Sequence, residues 1–147
     1  MKTLKTSWLL PDLNVWLALH YERHEHHKIA RAWFDSLDER HTLVFCRQTQ
    51  LGFFRLLTLT ANMGADARTQ RQCWMIYEEW LAGGRAVLRP EPDGIEPVLR
   101  AGTSAAEPAP KTWMDAYLAA FAETGDLTLV TLDKALAAKA PGAILIM

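Results

Sequence analysis

The chain has 147 residues, close to the size of one domain, and half of them are hydrophobic, which is enough for a buried core. Its 16 Lys and Arg residues against 17 Asp and Glu residues give a net charge of −1. The chain therefore lacks the overall positive charge that would indicate a nucleic-acid-binding protein. A local basic rim is nevertheless enough to hold phosphates. Cys46 and Cys73 are too few and too far apart for a disulfide scaffold or a zinc knuckle, so we expect a reducing, cytoplasmic setting.

The N-terminal segment does not predict a signal peptide or a membrane helix. Lys2 and Lys5 precede apolar residues, but Pro11, Asp12 and Asn14 interrupt that run and no small-residue cleavage site follows. No stretch approaches the ~18 uninterrupted apolar residues that a membrane-spanning helix requires. We therefore expect a single domain over residues 1–147, without a membrane segment.

Short apolar runs alternate with longer helical patterns along the chain. Strands are predicted at residues 8–10, 42–46, 85–89, 127–131 and 143–146. Helices are predicted at residues 14–21, 26–37, 49–59, 66–81 with Asp66 as the cap, 93–99, 112–124 and 133–139, with a break at 61–64 and a clear loop at 104–110. Strands rich in Val, Leu and Ile that are separated by helices predict a three-layer α/β/α domain around a mostly parallel sheet.

Three aspartates lie where strands of such a sheet end. Asp12 directly follows the first strand, Asp133 follows the strand LTLVT by two residues, and Asp115 lies in the first turn of the helix after the 104–110 loop. Because ligands bind at the carboxyl ends of parallel strands, we expect these side chains to converge on one edge. Clustered carboxylates raise one another's pKa unless a cation such as Mg²⁺ neutralises them. A metal that also polarises a phosphate and activates water predicts phosphodiester hydrolysis.

Each aspartate also has a purely structural interpretation. Asp12 and Asp133 are favourable N-cap residues for the helices that follow them, and Thr112 with Asp115 matches the capping box T-x-x-D. Capping does not require three acids at corresponding edges of one sheet, and a residue can cap a helix and bind a metal at the same time. We therefore favour a site, and capping stays open for each residue taken singly.

Five segments resemble PIN-domain ribonucleases, in particular the VapC-type toxins of bacterial toxin–antitoxin pairs. They are D-x-N-V at 12–15, the helix with His27, Ala30, Trp33 and Phe34, TQLGFFRLL at 49–57, W-x-D-A-x-L-A-A at 113–120, and LVTLD at 129–133. The resemblance implies a single PIN-like domain, a Mg²⁺ or Mn²⁺ site and endonucleolytic cleavage of RNA. It also implies a homodimer and a cognate VapB-type antitoxin that blocks the site.

Transferred residue by residue, the resemblance makes Asp12 and Asp115 the principal metal ligands. Asp133 would complete the catalytic acidic cluster, directly or through water. Asn14 and Thr131 lie beside these acids in the sequence and would orient ligands or water from a second layer.

One position departs from the family pattern. Many PIN domains carry a glutamate on the helix after the second strand, in the pattern T-x-x-E, where this chain has Gly52. A glycine binds no metal through a side chain and weakens a helix by up to ~1 kcal/mol relative to alanine, which indicates a close approach at this position. Gln48 or Gln50 would be neutral substitutes. The alternative function is therefore a catalytically weak or inert PIN-like module that binds RNA or protein.

Other polar and aromatic residues are candidates for RNA contacts. Arg55 would hold a phosphate if it faces the cleft, Lys111 lies near the acidic edge, and Trp113 is placed to line a substrate groove. His20 and His24 stand four residues apart, as a zinc pair would, but no third ligand is evident and we favour a polar junction between helices. Phosphatase-type and receiver-like domains lack their characteristic residues here, and neither a P-loop nor G-x-G-x-x-G is present.

Overall fold

The computed structural model describes residues 7–147 and contains one sheet with helices on both faces. Lys2 and Lys5 lie outside the described residues. The strands are β1 (Ser7–Pro11), β2 (His41–Phe45), β3 (Ala86–Leu88), β4 (Thr128–Thr131) and β5 (Ile144–Leu145). They lie in the order β3-β2-β1-β4-β5, and every described pairing is parallel. The predicted three-layer α/β/α architecture is confirmed.

The helices connect successive strands. They are α1 (Leu13–His20), α2 (His27–Asp35), α3 (Arg47–Thr58), α4 (Thr60–Met63), α5 (Gln70–Ala82), α6 (Ile95–Gly102), α7 (Thr112–Gly125) and α8 (Lys134–Lys139), with a 3-10 turn at Gly64–Asp66. The predicted interruption after α3 is present, but it lies at Leu59 rather than at 61–64, because the chain immediately forms the short helix α4.

The predicted capping role of Asp66 is wrong. Helix α5 begins with a capping box in which the Thr69 hydroxyl accepts a hydrogen bond from the Gln72 N–H (3.1 Å), while the Gln72 side chain accepts one from the Thr69 N–H (2.9 Å). Asp66 instead accepts a hydrogen bond from the hydroxyl of Tyr21 (2.8 Å), which ties the 3-10 turn to the end of α1.

Both faces of the sheet are buried, which explains the uninterrupted apolar strands. In β2, Leu43 and Phe45 point to the side of α1, α3 and α5, whereas Val44 points to the side of α7. Trp16 of α1 stacks on Phe45 with ring centroids 3.7 Å apart. Burying such a side chain fully contributes about 1.5–3 kcal/mol, so each layer is anchored by the strand residues facing it.

The central pair β1 and β4 places the carboxyl edge of the sheet. Beyond the last residue of β1, the Asp12 N–H still donates to the carbonyl of Val130 (2.9 Å). Asp12 and Thr131, 119 positions apart, therefore meet at this edge. Within residues 7–147, no helix is long and apolar enough to cross a membrane.

Candidate active site at the carboxyl edge of the sheet

Asp12 is the most deeply buried acid of the site, with 6% of its surface exposed. It caps α1, because its Oδ1 accepts a hydrogen bond from the Val15 N–H (3.0 Å), and its Oδ2 accepts one from the Thr131 hydroxyl. Burial raises the pKa of Asp12; its hydrogen bonds oppose that shift, and the nearby charge of Asp115 adds to it. The capping interpretation is confirmed, and the same carboxyl group borders a cavity at the sheet edge.

Thr131 joins two of the predicted acids. Its fully buried hydroxyl donates to Asp12 and accepts a hydrogen bond from the backbone N–H of Asp133 (2.9 Å). Because both hydrogen bonds use one oxygen, its proton is directed at Asp12. Thr131 thus fixes the orientation of the Asp12 carboxyl group relative to the turn that carries Asp133.

Asp115 is not a capping residue. Helix α7 has no side-chain cap, and the Thr112 hydroxyl donates to the Ala109 carbonyl (2.9 Å) instead of serving a capping box. Burial raises the pKa of Asp115, the charge of Lys139 lowers it, and the charge of Asp133 raises it again. The purely structural reading of T-x-x-D is therefore wrong. The charge of Asp115 acts on Asp12, and that of Asp133 acts on Asp115, so the three acids are linked electrostatically.

Asp133 lies at the exposed rim of the site. Its Oδ1 accepts a hydrogen bond from the Ala135 N–H (2.8 Å), so it caps α8 as the alternative interpretation predicted. A cap of this kind uses one carboxylate oxygen and leaves the other free toward the cavity or solvent. Capping and a role in the site are therefore compatible for both Asp12 and Asp133.

A cavity of about 380 Å³ opens where these residues meet. Its lining consists of Asp12, Asn14, His24, Glu25, His26, Leu132 and Asp133. The structure thus brings Asp12, Asn14 and Asp133 together, with Thr131 behind Asp12. Asp115 does not line this cavity and is linked to it through its charge.

The acids suit a hard divalent cation in chemistry, although they do not form a complete ligand cage. In the described part of the chain, no group of three or more His, Cys, Asp or Glu side chains is arranged to hold a metal ion. Mg²⁺, however, usually binds through one or two carboxylates and keeps several waters. Both Asp12 and Asp115 have pKa values raised by burial, and a bound cation would favour their ionised forms. These two residues, with Asp133 beside them, could therefore hold Mg²⁺.

Gly52, at the position of the missing glutamate, packs closely against the start of α1. A Cβ atom placed there would lie 2.8 Å from Cδ2 of Leu13, the residue that follows Asp12. The close approach that the glycine predicted is present, and its partner is α1. An acidic side chain at position 52 would therefore require Leu13 to move.

The two glutamines differ in their availability as neutral ligands. Gln50 is fully buried, and its Oε1 accepts a hydrogen bond from Arg47 (2.6 Å). Gln48 contacts Met114, which precedes Asp115, through its Nε2 atom (2.9 Å to Sδ), and its Oε1 has no partner among residues 7–147. Of the two, Gln48 is the one with an uncommitted side-chain oxygen.

The RNA-contact candidates are divided between two places. Lys111 and Trp113 are exposed at the start of α7, beside Asp115. Arg55 instead lines a separate cavity between α3 and α5, so the structure does not bring it to the acidic cavity. His20 likewise borders a different cavity from His24, and no group of three or more His, Cys, Asp or Glu side chains in residues 7–147 is arranged to complete a zinc site.

Two contributions to the site were missed by sequence reasoning. The residues from His24 to His26 form part of the cavity wall, and Lys139 acts on Asp115 from the end of α8. Neither is signalled locally, because both depend on how α1, α2 and α8 pack around the sheet. The polar character of residues 20–27, HYERHEHH, indicates a junction between helices but not the cavity that this junction borders.

Comparison with known proteins identifies the family. The family model described as "PIN domain" matches residues 9–141. Over 131 residues the chain is 47% identical to ribonuclease VapC41 of Mycobacterium tuberculosis, covering 86% of this chain and 90% of the relative.

Two solved structures share the fold at low sequence identity. A chain of FitAcB from Neisseria gonorrhoeae is 21% identical with a TM-score of 0.57, covering 93% of this chain and 96% of that one. A chain of VapBC2 from Rickettsia felis, bound to a DNA fragment from their promoter, is 11% identical with a TM-score of 0.64, covering 94% and 96%. By the match of the family model and the 47% identity to VapC41, the chain belongs to the PIN-domain family and is a relative of the VapC ribonucleases.

Proposed function

We propose that this chain is a Mg²⁺-dependent endoribonuclease and the toxin of a type II toxin–antitoxin module. The observation that carries the proposal is the acidic cavity at the carboxyl edge of the sheet, bordered by Asp12 and Asp133 and linked by charge to Asp115. The 47% identity to a protein named ribonuclease VapC41 supports the same activity.

In this proposal Asp12 and Asp115 hold Mg²⁺, or Mn²⁺ in its place, and Asp133 assists directly or through water. The bound cation would supply Lewis-acid polarisation of the scissile phosphate and an activated water. Thr131 holds the Asp12 carboxyl group in one orientation through its hydroxyl, and Asn14 borders the same cavity. In this proposal both residues orient the metal ligands or water without carrying a charge themselves.

RNA binding is assigned to the start of α7. Trp113 exposes 55% of its surface there, and an exposed indole can stack on an unpaired base. Lys111 is exposed two residues earlier and can pair with a phosphate. Arg55, on the far side of α3, is not part of this proposed RNA surface.

We also propose a homodimer and a VapB-type antitoxin as partners, in a cytoplasmic setting. The similarity to chains of FitAcB and VapBC2 supports a shared fold. The relationship to a VapC ribonuclease supports an antitoxin partner. Leu51 on α3 and Trp74 on α5 expose 54% and 47% of their surfaces beside a common cavity, a pattern that suits an interface. Sedimentation of the wild type and of Trp74→Glu tests the dimer, which the variant is expected to weaken.

Cys46 and Cys73 are buried free thiols, as a reducing compartment permits.

The catalytic proposal is tested by Asp115→Asn with Asp126→Asn as its matched control. Asp126 is exposed directly after the last residue of α7, in a left-handed conformation that asparagine also tolerates, so each variant removes one acidic charge from an end of this helix. We expect Asp115→Asn to abolish Mg²⁺-dependent RNA cleavage with an unchanged circular dichroism spectrum, while Asp126→Asn cleaves like the wild type. Full activity in folded Asp115→Asn would refute the assignment. Growth arrest of a bacterial host by the wild type alone would support the toxin role.

The second candidate is an inert PIN-like module that binds RNA or protein without cutting. Gly52 and the lack of a complete ligand cage among residues 7–147 favour it. Calorimetric titration with Mn²⁺ distinguishes the two candidates. Absence of binding at millimolar metal, together with no cleavage by the wild type, would favour the inert module.

A further inference from the structure

The loop between α1 and α2 forms part of the wall of the acidic cavity, a position that the proposed chemistry does not use. Of the seven residues that line this cavity, three carry side-chain nitrogen atoms, namely Asn14, His24 and His26. An RNA strand entering a cavity that also contains Asp12 and Asp133 meets negative charge. Its phosphate oxygens therefore need hydrogen-bond donors from the other wall.

The ring of His24 is held in a defined orientation. Its Nδ1 accepts a hydrogen bond from the backbone N–H of His26 (3.0 Å). An amide can only donate, so the neutral imidazole carries its proton on Nε2. The backbone around it is also tied, because the His24 N–H donates to Tyr21 and the His24 carbonyl accepts from His27, both at 3.0 Å. Nε2 makes no hydrogen bond to any residue that the structure describes.

His24 and His26 differ in what they can offer a ligand. Nε2 of His26 lies 3.2 Å from Oε1 of Glu25 and is engaged in that pair. Burial lowers the pKa of His24, the proximity of His26 and His27 lowers it further, and the charge of Glu25 opposes this shift. Because Nδ1 of His24 accepts a hydrogen bond, it carries no proton, and the ring presents an uncharged Nε2–H donor rather than a cation that would pair with Asp12 or Asp133.

We propose that His24 is a substrate-binding residue whose Nε2–H donates a hydrogen bond to a phosphate oxygen of single-stranded RNA in the acidic cavity. The inference rests on the proposed function, because it assigns a contact to the substrate of that same site. A hydrogen bond from a neutral donor to a charged phosphate predicts a loss of about tenfold to a hundredfold in RNA affinity when the donor is removed.

Two substitutions separate this role from a purely structural one. In His24→Asn, the side-chain oxygen can still accept from the N–H two residues ahead, as in an Asx-turn, but the Nε2 donor is gone. In His24→Gln, the side-chain amide can place a donor near the original Nε2 position, but the hydrogen bond to the His26 N–H is lost. RNA binding predicts that Gln retains function and Asn loses it, whereas a role in loop structure predicts the reverse. His41→Asn, at the opposite edge of the sheet, is the matched control.

The experiment is fluorescence anisotropy with a labelled, random-sequence RNA single strand in EDTA, which withholds the metal that the proposed cleavage needs, together with cleavage kinetics of the same RNA in Mg²⁺. We expect His24→Asn to weaken binding by about tenfold or more and to raise KM with little change in kcat, and His24→Gln and His41→Asn to stay within a few-fold of the wild type. Unchanged binding by His24→Asn, loss in His24→Gln alone, or no saturable binding by the wild type would overturn the inference. Binding is measured without cleavage, so failure of the nuclease proposal is recognised separately, by inactivity of the wild type.

Discussion

The contact between Gly52 and Leu13 makes a quantitative prediction about why α3 carries a glycine. The perturbation is Gly52→Ala, made in the wild type and in a Leu13→Ala background. In the wild type the new Cβ atom would lie 2.8 Å from Leu13 Cδ2, closer than real Cβ contacts allow, so the leucine side chain must move. In the Leu13→Ala background the clashing atom is absent.

The two opposing contributions are of similar size. Replacing glycine by alanine in a helix interior stabilises by about 0.5–1 kcal/mol. Forcing a side chain such as Leu13 away from its rotamer costs about 0.5–1.5 kcal/mol. Gly52→Ala alone should therefore change the free energy of unfolding by less than about 1 kcal/mol, whereas in the Leu13→Ala background the full helix gain should appear.

The assay is urea denaturation of the wild type, both single variants and the double variant. We expect a coupling free energy of about 1 kcal/mol between the two positions, with the double variant more stable than additivity predicts. Additive effects within ~0.5 kcal/mol would refute the reasoning, because they would show that Leu13 does not constrain position 52.

The same pair of positions addresses the missing acid. In the Leu13→Ala background, Gly52→Glu should place a carboxylate beside the start of α1 without the clash. If this position belongs to the metal site, Mn²⁺ affinity should rise relative to Gly52→Gln in that background. Equal affinities would exclude position 52 from the site.

Two further predictions concern the buried hydrogen bonds of the site. In metal-free protein, Asp12→Asn should raise Tm at neutral pH but not below pH 3.8. Burial raises the pKa of Asp12, so folding favours the protonated carboxyl group. The stability that this protonated form contributes is fully present below the ordinary pKa of 3.8 and is lost as pH rises through the raised pKa. Calorimetry in chelator checks this, and an equal Tm difference at both pH values would contradict it. Thr131→Val should lower the free energy of unfolding in urea by about 1–3 kcal/mol, since Asp12 and the Asp133 N–H both lose a partner; a loss below ~0.5 kcal/mol would show that water replaces the hydroxyl.

The start of α5 is marked by a capping signal that is local in the sequence. Thr69 and Gln72 form the pattern T-x-x-Q, a capping box that can be recognised in the sequence without tertiary knowledge. Aspartate is also a favourable N-cap residue type, so Asp66 predicts a helix start three residues too early. Its actual partner, Tyr21, lies 45 positions away, and no local pattern indicates that hydrogen bond.

The polar residues of the site show a different limit. Arg55 lies inside a predicted helix and His24 lies between two predicted helices, and neither position reveals which cavity its side chain borders. The packing of α3 against α5 directs Arg55 into a separate cavity, while the return of the chain from α1 to α2 brings His24 to the acidic one. Such outcomes depend on helix orientation, which the periodicity of one segment does not determine.

The sequence by itself determined the layered parallel fold and the edge at which Asp12, Asp115 and Asp133 lie. These features follow from strand ends and helix starts, which are properties of neighbouring residues. Tertiary structure alone decided that Thr131 joins Asp12 to the Asp133 turn, that Leu13 fills the space at Gly52, and which side chains face the acids. Each of these features depends on contacts between segments that are far apart in the chain. The hydrogen bonds and close packing that determine them can form only when the sheet has brought those segments together.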